Sequence, residues 1–160
     1  MGILDMLFGK EEAPEEVTER CRQTIVDLLP AMGHKKGESW DIGEEGRIIF
    51  FQGSAGIFID FDMLGERPCV AFLSPIVKLP ADNLLPFYRH LLELNQTLCG
   101  LVSLGVENDV VYVCTQRSLA SMTELSLTEA IDDIGSCADD LDDLLHQEFE
   151  APFYDPEDSR

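Results

Sequence analysis

A chain of 160 residues that is 45% apolar and 26% charged has the make-up of one globular domain, and this excludes a disordered or fibrous chain. Eleven Lys and Arg against 31 Asp and Glu leave a formal charge of −20, which opposes contact with phosphate backbones and anionic lipid. From Ser126 onward there are 12 acidic residues and one basic residue, Arg160.

Residues 1–14 are set apart as an apolar N-terminal segment, with Ile3, Leu4, Leu7 and Phe8 close together. Pro14, Glu15 and Glu16 announce a helix, because proline suits the first turn and acids suit the positive helix end. Val17, Cys21, Ile25, Leu28 and Met32 follow at steps of three and four and give it one apolar face, and Pro30 and Gly33 close it. From Ser39 to Ile76 the period changes to that of strands. "RIIFFQ", "IFIDFD" and "CVAFLSPIV" read as a three-stranded antiparallel meander, turned at "GSAG" and "LGERP", with "SWDI" an earlier piece of unassigned status. Pro75 suggests that the third of these strands lies at an edge or is ending there.

Residues 82–98 read as a second helix, with Asp82 able to cap it and Leu84, Phe87, Tyr88, Leu91, Leu94 and Leu98 on its stripe. "GLVSLGV" and "VVYVCT" form a hairpin across "END". Ser126 and Glu129 have capping-box spacing. After them Leu127, Ile131, Ile134, Ala138, Leu141 and Leu145 make a heptad-like seam, opposite a face of aspartates. The expected fold is α+β: helix, three strands, helix, two strands, helix, with a mostly antiparallel sheet carrying packed helices. The single domain is drawn at 15–149, and 150–160 as a flexible acidic tail.

Little in this order of elements carries chemistry. The cysteines (21, 69, 99, 114 and 137) are scattered and form no C-x-x-C, and the start is acidic where a secretory signal would be basic. Free thiols in a cytoplasmic setting are therefore expected. His34, His90 and His146 have no cysteine or serine elbow beside them, and His90 falls on the outer face of the second helix. Asp60 and Asp62 resemble the opening of a calcium loop, but Leu64 stands where an oxygen ligand is required. No catalytic, metal or cofactor residue is assigned.

Asn95 is the unexpected residue, a carboxamide on an apolar stripe. A buried amide is costly unless hydrogen-bonded, so it is expected to satisfy main-chain groups at the helix end or on a neighbouring strand. Phe58 shares its face of "IFIDFD" with Asp60 and Asp62, and a large aromatic on a polar face is either covered or offered to a partner. Phe51 and Leu73 are taken with Phe58 as candidate partner-binding residues on that face.

The stretch "FYRHLLELNQTLCGLVSLGVENDVVYV" (Phe87–Val113), the order of elements and the acidic last helix resemble the YbjN-like family, over roughly residues 15–148. The helix–Asn–small residue–strand join carries the resemblance, and Asn95 matches it. That family looks like the type III secretion chaperone fold. The resemblance implies a small acidic cytoplasmic homodimer that binds extended segments of client proteins, with no catalytic residues to carry over. The resulting expectation is a non-enzymatic protein-binding module, chaperone-like or regulatory. It would hold a segment of another protein, with basic flanks, on apolar patches of an acidic domain. It would bind no nucleic acid and insert stably into no membrane. The alternatives are an enzyme whose site is not visible in sequence, and a peripheral membrane adaptor using Ile3, Leu4, Leu7 and Phe8.

Overall fold

The computed structural model describes residues 13–43, 46–98 and 102–155. The apolar N-terminal knot lies outside them. Helix α1 (Pro14–Ala31) begins with Pro14 in its first turn, where the missing N–H costs nothing, and buries Cys21, Ile25, Leu28 and Leu29. Four strands follow: β1 (Trp40–Ile42), β2 (Ile48–Gln52), β3 (Ala55–Leu64) and β4 (Arg67–Lys78). Then come helix α2 (Leu84–Thr97), the hairpin β5 (Ser103–Glu107) and β6 (Val110–Ser118), and the long helix α3 (Glu124–Phe149). The sheet is six-stranded and antiparallel throughout, in the order β1-β2-β3-β4-β6-β5. The α+β layout read from the sequence is the observed one.

Its details correct the reading in four places. "SWDI" contributes a true strand, β1, whose Trp40 is buried, so the first run has four strands and not three. β4 is not an edge strand. It lies between β3 and β6 and passes through Pro75 by a register shift between Pro75 and Val77, which accommodates the missing N–H. Asn83, not Asp82, takes the N-cap position of α2, in the left-handed region at φ 59°. The box on α3 sits one turn earlier than expected: Ser126 N–H donates to Thr123 Oγ1 (3.2 Å) and Thr123 N–H donates to Ser126 Oγ (2.8 Å). A serine at the third helical position thus does what Glu129 was expected to do.

One face of the sheet is covered. Ile48, Phe50, Ile57, Ile59, Val70, Phe72, Val111 and Val113 point to it and meet Ile25 and Leu29 of α1, Phe87 and Leu91 of α2, and the whole seam of α3. The α3 seam therefore packs within its own chain. Gly135 is part of that packing, since a Cβ there would come within 2.5 Å of the Gln52 side chain. The absence of a side chain lets the helix lie close to the end of β2.

Asn95 performs the structural role expected of it. Its Nδ2 donates to the Leu104 carbonyl (3.1 Å), and its Oδ1 accepts from the Leu104 N–H (2.6 Å). β5 is the outermost strand, so both main-chain groups of Leu104 turned away from β6 find in this amide the partner that another strand would supply.

Candidate functional site

Among the described residues no helix covers the second face of the sheet. Period-two alternation sends Ile49 and Phe51 of β2, Phe58 of β3 and Leu73 of β4 to it. The register then brings them together: Phe58 stands opposite Ile49 on one side and Leu73 on the other, and Leu73 stands opposite Cys114 of β6. Phe51 pairs with Gly56, where a Cβ would lie 3.3 Å from its ring, so the bare backbone leaves room for the aromatic against the strand. Phe51 is 50% exposed. The three residues singled out in the sequence thus occupy one face and are near neighbours on it.

Phe58 is half-buried, and its open side is partly occupied by Arg47. The Arg47 guanidinium lies 5.4 Å from the Phe58 ring centroid and donates twice to Asp60, at 2.6 and 2.7 Å. Asp60, considered above as a calcium ligand, is therefore committed to an arginine.

The face deepens into a groove at the start of β3. The β3–β4 pairing stops at Phe58 and Leu73, and beyond that point the two strands part. Ser74, buried in the gap, donates its hydroxyl to the Gly56 carbonyl (2.9 Å). The chain's own residues 152–154 take the place of β3 beside β4. Lys78 N–H donates to Pro152 O (2.7 Å), Tyr154 N–H donates to Ile76 O (3.0 Å), and Val77 pairs with Phe153. The expected flexible tail thus starts with a docked segment. Ala151 is fully buried, and Phe153 stacks on His146 with centroids 4.3 Å apart. The groove between β3 and this segment holds about 560 Å³. Ile49, Phe51, Phe58, Pro75, Ile76, Phe153 and Tyr154 line it, with Ser54, Asp142 and Asp143 at one side.

Its acidic side is electrostatically tense. Ser54 Oγ donates to Asp139 (2.8 Å) and reaches Asp142 at 3.4 Å. Burial pushes the Asp142 carboxyl above its ordinary value, and Asp143 and Asp139 push in the same direction, against hydrogen bonds from the Asp143 main chain and Ser54. A cation placed there would relieve the crowding.

Phe153, Tyr154, Ile49 and Asp142 were missed in the sequence reading. Only the second Phe-Tyr pair of the chain, in an otherwise polar tail, could have pointed to the first two. The histidines do not converge on the groove as a set. His34 lies edge-on to Phe50, and His90 is not on a free helix face but lies against Phe149, with Nε2 3.5 Å from Glu148. Among the described residues no group of His, Cys, Asp and Glu could hold a metal ion. No described helix is long and apolar enough to cross a membrane.

The fold, an antiparallel sheet backed by helices, has known counterparts. Residues 19–154 match the model of the family described as T3SS (YopN, CesT) and YbjN peptide-binding chaperone 1. The chain belongs to this family. Among solved structures, this chain resembles a chain of the ExsC–ExsE complex with a TM-score of 0.57 and 15% identity, over 82% of this chain and 95% of that one. It also resembles a chain of the HopA1–SchA chaperone–effector complex, with a TM-score of 0.57 and 8% identity, over 78% and 97% of the two chains. At such identities the likeness is one of fold. No curated protein matches the chain.

Proposed function

We propose that the protein is a non-enzymatic peptide-binding chaperone, or a regulator built on that fold, which holds an extended segment of another protein on the open face of its sheet. The observation that carries this reading is the register-built cluster of Ile49, Phe51, Phe58 and Leu73, which no described element covers and which runs into the groove beside Phe153. Apolar side chains of the client would fill the groove. Lys or Arg flanks would meet Asp142 and Asp143 at its side, in keeping with the overall charge of −20. Membership of a peptide-binding chaperone family supports the same class of partner. The setting we propose is cytoplasmic.

A homodimer fits the surface as well. The α3 seam offers it no interface, because it is buried in the chain's own core. Helix α2 does: Leu85, Tyr88 and Leu92 lie at steps of three and four on its outside, with Leu85 80% and Leu92 70% exposed. Light scattering at micromolar concentration should report a dimer, and Leu85→Asp with Leu92→Asp should return it to monomer.

An array of 15-residue peptides that vary aromatic, aliphatic and charged positions tests the main reading. Peptides combining apolar residues with Lys or Arg should bind, and Phe58→Ser should weaken their binding by roughly 1–2 kcal/mol without a change in melting temperature. An array without preference, or one unaffected by Phe58→Ser, would contradict it.

A further inference from the structure

β4 loses β3 as its neighbour after Leu73, and the chain closes the gap with residues 152–154. A segment that belonged to the core would bury its aromatics and carry a ladder. This one is rooted in the core by the fully buried Ala151, but beyond it two main-chain hydrogen bonds join it to β4 and Phe153 remains 46% exposed. Ties also run to the end of α3, through the Phe153 stack on His146 and His146 Nδ1–H donating to the Ala151 carbonyl (2.9 Å), and Tyr154 lies near Tyr112 of β6. A single residue in the left-handed region, Glu150 at φ 54°, separates the segment from that helix. A change at that residue would swing the segment as a unit, which is how hinges at element ends work.

We propose that residues 151–155 are a displaceable strap. It occupies the strand edge of β4 at 76–78, walls the groove with Phe153 and Tyr154, and swings aside when an extended client segment runs along β4 in its place. This is a regulation of the site proposed above and rests on that reading. The strap is an imperfect occupant. Residues 151–154 carry no charged side chain, whereas the groove carries Asp142 and Asp143, so a client bearing Lys or Arg has a charge match that these four residues do not offer. While docked, the strap competes as a tethered ligand, at an effective concentration on the order of millimolar.

Two measurements on the full chain decide it, and neither uses a client, so their failure is distinct from failure of the peptide array. The first is an NMR titration with a terminally blocked peptide of residues 150–155, EAPFYD, followed at the Lys78 amide. Phe153→Asp removes the His146 stack and weakens the chain's own strap. The peptide should then bind this variant at least about ten-fold more tightly than it binds the unsubstituted chain, because the tethered competitor is lost. Equal affinity for both chains, or no shift at Lys78 in either, overturns the proposal. The second is native-state hydrogen exchange on the unsubstituted chain, which stands even where the variant fails to fold. The Lys78 and Tyr154 amides should open at least about a hundred-fold more often than those bonded across the β4–β6 ladder. Exchange at the ladder's own rate would make the strap part of the cooperative core and overturn the proposal.

Discussion

The two faces of the sheet are built from the same strands and differ in what lies over them. Phe72 and Leu73 are adjacent in β4, yet Phe72 is fully buried under the helices while Leu73 lies on the open face beside Phe58. Strand periodicity sets this division, and a slip of one residue would exchange the two sets. The covered face contributes most of the stability. The open face keeps apolar groups in contact with water, a cost that makes sense where a partner removes it.

Four substitutions sharpen or break this comparison. Phe72→Ala should cost the most stability, about 3–5 kcal/mol, because the helices cannot collapse into the space left by a fully buried ring. A denaturant melt measures it, and a loss below 1 kcal/mol on the order expected for surface changes would mean that the covered face is not the core. Asn95→Leu should cost about 1–3 kcal/mol, since both main-chain groups of Leu104 lose their partner, while peptide binding persists in the folded variant. Unchanged stability with lost binding would make Asn95 a site residue.

On the open face the order reverses. Phe58→Ser should leave the melting temperature nearly unchanged and weaken peptide binding by roughly 1–2 kcal/mol, as expected of an interface anchor. A large drop in melting temperature would place Phe58 in the core. Asp142→Asn should have the smallest effect. A carboxyl whose folded value is raised above its ordinary 3.8 takes up a proton more readily in the fold than in the unfolded chain. Stability from this group therefore rises as pH falls towards that ordinary value, and neutral pH carries the cost. The variant should melt slightly higher than the unsubstituted chain at neutral pH, with the gap closing on acidification. A gap that widens instead would reverse the sign assigned to this carboxyl.

Much of the covered face was legible in the sequence, because burial imposes periods that can be counted. The alternation in "IFIDFD" and the 4-3-4-3-4 spacing on α3 both appear as expected, and Asn95 was readable because an amide on an apolar stripe demands a partner. β1 is hard to read because its three residues are too few to show a period. Pro75 suggests an edge or an ending because proline lacks a donor, but the register shift that admits it into a central strand depends on β6, where Pro75 pairs with Tyr112 far along the chain. The candidate site was half legible. Phe51, Phe58 and Leu73 could be placed on one face, but not in mutual contact, since register is a property of pairs of strands. The groove was not legible. It exists because β3 leaves β4 after Leu73 and residues 152–154 return to fill the place, and such main-chain pairing leaves no mark on composition.

The central claim is that the open face, and not the helical side, receives the client. The most direct measurement is a map of amide chemical shifts in the full chain saturated with the tightest peptide from the array. The account predicts that the largest changes fall on Ile49, Phe51, Gly56, Phe58, Leu73 and Tyr154, with little on the outer residues of α2. Changes concentrated on Leu85, Arg89 and Leu92, with the open face silent, would contradict it.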